Sequence, residues 1–153
     1  MHRTNILLAN IRRIVKLYDS MLKPVCERYA LALIEATIIS FLYNNPGRDT
    51  AADIVEYRML SKGNVSQAVE SLIQKGLLQR CQDTRDRRRI HLSLTRKARP
   101  ITDEIERVRQ IFQDQIFRDF SEEEERQFAR YNERIAENIK KAAEGDEICR
   151  MGA

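Results

Sequence analysis

The chain has 153 residues, 42% of them hydrophobic, with 27 Lys and Arg against 23 Asp and Glu for a formal net charge of +4. That length supports one domain with a real core and is short for two. No run of about 18 apolar residues occurs and no clean hydrophobic segment opens the chain, so neither a membrane span nor a signal peptide is expected. The three cysteines, Cys26, Cys81 and Cys149, form no Cys-x-x-Cys pair, which fits a reducing cytoplasm better than a disulfide scaffold. His2 and His91 are the only histidines and the five glycines are dispersed. No Ser/His/Asp, metal-ligand or phosphate-loop constellation emerges, so no enzyme, metal or cofactor is expected.

In chain order, Leu7, Ile11, Ile14, Val15, Tyr18, Met21 and Leu22 recur at helical spacing and predict a helix over 4–23, which Pro24 ends or bends. A second apolar helix spans 31–43, before the breaker cluster Asn44-Asn45-Pro46-Gly47. Thr50 and Asp53 form a capping box that opens a short helix to about Tyr57. Ser61 caps the next helix, whose buried stripe is Val65, Ala68, Val69, Leu72 and Ile73 and whose C-terminal cap is Gly76. Two short helices joined by a tight turn make a helix-turn-helix.

A hairpin follows over 77–94, in which Ile90, Leu92 and Leu94 alternate as one half-buried face and His91 reads as an outward strand residue. Thr95 caps a long helix carrying Ile101, Ile105, Val108, Ile111, Phe112 and Ile116, with Pro100 tolerated in its first turn. Ser121 to Glu124 is another capping box, opening a helix with Phe128, Tyr131, Ile135, Ile139 and Ala142. Beyond about Gly145 there is no pattern. The terminal helices carry seams that the small central module cannot cover alone, which predicts a homodimer built on helices 1, 5 and 6.

Charge is unevenly placed along these elements. Residues 1–60 carry net +2 and residues 100–153 net −5, whereas residues 61–99 hold 10 basic and 3 acidic side chains, net +7. Within that segment, residues 83–89 place Arg85, Arg87, Arg88 and Arg89 in one turn with Asp83 and Asp86. Such a turn is costly through repulsion unless an anion is expected, and the long cellular polyanion is nucleic acid. Asp86 is expected to pair with one guanidinium and hold the turn. Ser61, Lys62, Asn64, Ser66 and Gln67, at the start of the capped helix, are groups that match base edges and phosphates in a major groove. Alone, that helix face is equally an ordinary solvated surface, and the hairpin alone a salt-bridged one. Their succession favours duplex DNA.

The order helix-turn-helix, strand, Asp86-Arg87-Arg88 turn, strand, Leu94-Thr95 resembles the winged-helix core of the MarR family of bacterial transcription regulators. Val65-Ser66-Gln67-Ala68-Val69 and Leu72-Ile73-Gln74-Lys75-Gly76-Leu77 extend the likeness, which covers roughly residues 5–143. It implies a mainly α fold with a small β-hairpin wing: a single domain over 1–153, with a winged helix-turn-helix lobe at 31–94 and dimerisation helices at 4–23 and 96–143. The implied function is sequence-specific double-stranded DNA binding by a homodimeric, cytoplasmic regulator, a repressor on a pseudo-palindromic operator. By position, Arg88 is the wing arginine and Asp86 its structural partner. Gln67 stands where many members have arginine, and Ala98 where glycine is usual.

The resemblance also implies release by a small aromatic or lipophilic effector, with Arg13, Tyr18, Met21 and Tyr29 as candidate pocket residues. Redox sensing has little support: Lys23 and Arg28 flank Cys26 as cations that would lower its pKa, but helix 1 has no cysteine near its start. The alternative function is a dimeric winged-helix protein-interaction module without specific DNA binding, docking through its acidic last helix.

Overall fold

A computed structural model describes the backbone of residues 2–151 and the side chains of residues 2–145. The elements are α1 (Arg3–Arg28), α2 (Leu33–Asn44), α3 (Ala51–Arg58), α4 (Lys62–Gln74), β1 (Leu78–Gln82), β2 (Ile90–Leu94), a 3-10 turn (Arg96–Ala98), α5 (Arg99–Ile116) and α6 (Glu122–Met151). The chain divides into two compact units, Met1–Phe112 and Gln113–Ala153. Among the described residues no helix is long and apolar enough to cross a membrane.

The first unit holds the core. Leu22, Val25, Ile38, Ile39, Ile54, Val65, Leu72, Leu78, Leu92, Ile101 and Ile105 are buried in one cluster, so each helix contributes the apolar face that its 3.6-residue period sets out. Beneath it, Glu35 is buried but fully engaged. Its carboxylate accepts from the Ala32 amide (3.2 Å), from Ser71 Oγ (3.4 Å) and from Lys75 Nζ (3.0 and 2.8 Å), while Lys75 Nζ also donates to the Ala30 carbonyl (2.8 Å). A buried carboxylate persists when its charge and lone pairs are met in this way. The start of α2 is thereby tied to the end of α4.

Two helix limits depart from the periodic reading. α1 continues through Pro24 to Arg28. Proline removes one N–H from the helix ladder, but Val25 and Cys26 just beyond it are buried, and that burial outweighs a single lost bond. α6 continues past Gly145 to Met151, so the helical backbone outlasts the apolar pattern.

The capping expectations hold where they are local. Thr50 and Asp53 cap α3 reciprocally, with Asp53 N–H donating to Thr50 Oγ1 (3.1 Å) and Thr50 N–H to Asp53 Oδ2 (3.1 Å). In the second unit, Ser121 N–H donates to Glu124 Oε2 (2.7 Å) and Glu124 N–H to Ser121 Oγ (3.2 Å). There Phe117 packs edge-on against Phe120 and Phe128, with centroids 5.5 and 5.2 Å apart. Gly76 ends α4 at φ +73, with its amide on the Ile73 carbonyl and the Leu77 amide on the Leu72 carbonyl, both 3.0 Å, the pairing of a Schellman cap. A Cβ at Gly76 would meet only the Lys97 side chain, at 3.8 Å or beyond. The Gly76→Ala variant is therefore expected to lose about 1–2 kcal/mol from backbone strain alone, read as a lower denaturant midpoint with an unchanged slope.

Thr95 behaves otherwise than a helix cap. It occupies the N-cap position of the 3-10 turn, but its side chain accepts no cap bond. Its Oγ1 instead donates to the Gly76 carbonyl (2.6 Å), and Lys97 Nζ donates to the Lys75 carbonyl (2.9 Å). Both satisfy carbonyls left open at the end of α4, and the lysine adds a cation where the helix dipole is negative. Ala98 is fully buried in the turn that leads into α5, so a methyl group fits where glycine is usual.

Candidate nucleic-acid interface

α4 divides cleanly into two faces. Val65, Ala68, Val69 and Leu72 are buried. Lys62, Gly63, Asn64, Ser66, Gln67 and Glu70 are exposed. Ser61 caps the helix, its Oγ accepting from the Asn64 amide (3.2 Å), so it orients the first turn as well as lying beside it. The turn before the helix places Met59 in the left-handed region at φ 51 with its side chain 90% exposed. Glu70 is committed to Arg80 of β1 at 2.8 Å, which leaves Lys62, Asn64, Ser66 and Gln67 as the outward polar set.

β1 and β2 pair antiparallel, from Leu78 opposite Leu94 to Gln82 opposite Ile90. Leu92 is buried and Leu94 partly so, but Ile90, beside the loop, is 44% exposed. The half-buried face therefore fades toward the tip. In the loop, Asp83 Oδ1 accepts from the amides of Arg85 (2.7 Å) and Asp86 (3.0 Å), and Asp86 Oδ1 accepts from the amide of Arg88 (3.0 Å). Gln82 Nε2 donates to the Arg87 carbonyl (3.1 Å), and the Asp83 and Arg89 amides donate to the Arg89 and Asp86 carbonyls, each at 3.0 Å. Asp86 thus shapes the turn, but through a backbone amide; the expected pairing with a guanidinium does not form. Carboxylates on backbone amides make local Asx turns, and this leaves all four arginines unneutralised.

Arg85, Arg87, Arg88 and Arg89 are exposed, and among the described residues none of their guanidinium groups joins a hydrogen bond or ion pair. Asp53 feels Arg89 and Arg48, but its carboxyl is lowered chiefly by bonds to Thr50 that outweigh burial. Four exposed cations on a turn braced by its own carboxylates suit an extended anion, since guanidinium forks match phosphate oxygens.

His91 was expected to be an outward strand residue standing alone. The structure corrects this: Nδ1 lies 2.6 Å from Asp49 Oδ1 and Nε2 lies 2.7 Å from Asp83 Oδ2. These bonds, the one to Asp49 first, raise the His91 pKa above its ordinary value. The bond from His91, followed by the amides of Asp86 and Arg85, holds Asp83 far below the usual carboxylate range. The partners lie 42 and 8 residues away in sequence, and no local pattern marks the first of them. Among the described residues no His/Cys/Asp/Glu group is arranged to hold a metal ion.

The candidate effector residues are spread along α1. Tyr18 is half-buried, edge-on to Phe112 with centroids 5.1 Å apart, and burial raises its phenol pKa. Arg13 is exposed, while Met21 and Tyr29 are partly buried. Arg13 and Tyr29 stand sixteen positions apart on one helix and its cap, about 24 Å at 1.5 Å per residue, too far to share a small ligand within one chain. A separate cleft of about 350 Å³ is lined by Tyr43, Leu94, Thr95, Arg96, Arg99 and Asp103 among others, and none of the four reaches it. Cys26 is buried, and burial, followed by Glu35, pushes its thiol up rather than down, so Lys23 and Arg28 do not activate it. Cys81 is exposed in β1, and the Cys149 side chain lies outside the described residues.

Residues 31–89 match the family model of the MarR family. No curated protein matches the chain. Among solved structures, the chain is similar to the crystal structure of MarR, at 24% identity and TM-score 0.72, over 92% of this chain and 95% of that one. It is similar to a Listeria monocytogenes putative MarR family transcriptional regulator complexed with 26mer DNA, at 20% identity and TM-score 0.75, over 86% and 87%. It is also similar to Bordetella bronchiseptica BpsR, whose DNA binding is regulated by 6-hydroxynicotinic acid, at 18% identity and TM-score 0.66, over 88% and 99%. The matched residues run from just after α1 to the last arginine of the loop; over them the chain is similar to the MarR family, and it shares the fold of these solved structures.

Proposed function

We propose that the protein is a sequence-specific double-stranded DNA-binding regulator, acting in the cytoplasm as a homodimeric repressor on a pseudo-palindromic operator. The observation that carries this reading is the loop of residues 83–89, with four exposed and unpaired guanidinium groups beside the exposed polar face of α4. Lys62, Asn64, Ser66 and Gln67, with Ser61 at the cap, read base edges and adjoining phosphates in the major groove. Arg85, Arg87, Arg88 and Arg89 hold the flanking backbone and minor groove, so phosphate contacts set affinity and α4 sets sequence. The complex of the Listeria monocytogenes relative with 26mer DNA supports the DNA-binding reading.

The dimer is supported by unpartnered apolar seams. On α1, Leu7, Leu8, Ile11 and Val15 are 48–54% exposed, and on α6, Tyr131 and Ile139 are 56% and 62% exposed. An exposed apolar seam along a helix marks an interface, and a second copy with two-fold symmetry is the simplest cover for each. Release by a small aromatic or lipophilic effector, bound near Tyr18 and Met21, is the regulatory half of the reading, supported by the regulation of BpsR by 6-hydroxynicotinic acid.

Selection of bound duplexes from a random pool tests the whole proposal. The expected product is one inverted repeat with half-sites about one helical turn apart, the spacing that a two-fold dimer demands. Failure to enrich any sequence would instead favour the protein-interaction module. Enrichment of a single unrepeated half-site would remove the symmetric dimer.

A further inference from the structure

The imidazole of His91 joins two carboxylates that come from different parts of the chain. Asp49 lies on the connection between α2 and α3, and Asp83 lies at the foot of the arginine loop. Ionised carboxylates only accept, so two simultaneous bonds need a hydrogen on each ring nitrogen, and the ring is the imidazolium. We propose that protonated His91 is a positioning residue for DNA binding, clamping the arginine loop to the α2–α3 connection; this rests on the DNA-binding reading given above.

The clamp acts through Asp83. One oxygen of that carboxylate meets His91 Nε2, and the other accepts from the Arg85 and Asp86 amides. The ring therefore orients the group that orients the loop. Beside it, the Leu92 amide donates to the Asp49 carbonyl (2.7 Å), so the connection and β2 are also joined through backbone. Other charged groups on the adjoining elements are Arg48 next to Asp49, Asp53, Glu56 and Arg58 on α3, Arg80 on β1, and Asp86 with the four arginines of the loop, of which Arg89, like Arg48, acts on Asp53. Across the strand pair His91 is in register with Cys81 of β1.

Loss of one proton leaves the ring a single N–H for two anions. One carboxylate then confronts a nitrogen lone pair, and the cation between the two negative charges is gone. His91 is raised, so the clamp is complete below the ordinary histidine value of about 6.5 and is lost as pH rises through the raised pKa. Asp83 is lowered, so its side of the clamp persists deep into acid. A freed loop samples more conformers, and affinity falls with the fraction that remains competent.

The test measures binding of the full chain to a mixed-sequence duplex by anisotropy, at fixed ionic strength, from about pH 6 to about pH 9. Affinity of the unchanged protein is expected to fall about tenfold as pH passes the His91 pKa, in proportion to the competent fraction. His91→Gln should sit on the weak plateau at every pH and show lower protection of the Arg85 and Asp86 amides in hydrogen exchange. Asp49→Asn should keep the step but move its midpoint to lower pH, and it decides the matter if the glutamine variant does not fold. Binding with a flat profile in the unchanged protein, or an undiminished step in His91→Gln, overturns the role of His91 alone. Absence of duplex binding at any pH overturns the DNA-binding reading, and the clamp with it.

Discussion

Replacing Arg88 with alanine is expected to weaken binding to the selected duplex by about tenfold to a hundredfold at physiological salt, the usual weight of one well-placed arginine contact. The guanidinium is exposed and unpaired, and the bond that shapes the turn runs from the Arg88 amide to Asp86 Oδ1. Truncating the side chain removes the cation without removing that bond. The loss should therefore appear in affinity, while the melting temperature and the oligomeric state stay where they were. If the arginine meets phosphate, the slope of log affinity against log salt should also fall by about one per contact removed. Gel shifts across a salt series read both quantities. An unchanged affinity would remove Arg88 from the interface.

The second large effect is on stability. Leu72→Ala is expected to cost about 2–5 kcal/mol, the range for deleting a buried leucine whose cavity only partly collapses. Leu72 is fully buried on the inner face of α4, and its carbonyl accepts the Leu77 amide that closes the helix cap. The cavity would open under the helix that presents Asn64, Ser66 and Gln67. Urea unfolding at one fixed protein concentration measures the loss, because the proposed dimer would make apparent stability depend on concentration. Gln67→Ala, on the exposed face of the same helix, should stay within about 0.5 kcal/mol of the parent. Equal losses at the two positions would mean that the inner and outer faces of α4 are misassigned.

The wing arginines and the polar face of α4 were legible because each needs only a short stretch of chain. Four arginines within seven positions are a charge anomaly in any fold, and a capped helix with a 3.6-residue stripe defines its own outward face. The detail of the turn was not legible. An Asp86–arginine ion pair and an Asp86–amide bond use the same residues, and only backbone geometry chose the amide. The candidate effector set is spread out for a related reason: Arg13 lies within α1 and Tyr29 at its C-terminal cap, but sequence proximity to one crevice says nothing of the distance along the axis.

What the chain determines by itself is local. Thr50 with Asp53, Ser61 with Asn64, Ser121 with Glu124 and the cap at Gly76 all act across a few residues, so residue type and spacing suffice to name them. Tertiary structure decided what depends on partners far away in sequence. Glu35 meets Lys75 across 40 positions and His91 meets Asp49 across 42. Thr95 and Lys97 close the end of α4 across 19 and 22. Hydrogen-bond chemistry is visible in each residue, but the choice of partner is made only when packing brings the two together. Pro24 shows the same priority from the other side: its local preference is to end a helix, and burial of Val25 and Cys26 carries α1 through it.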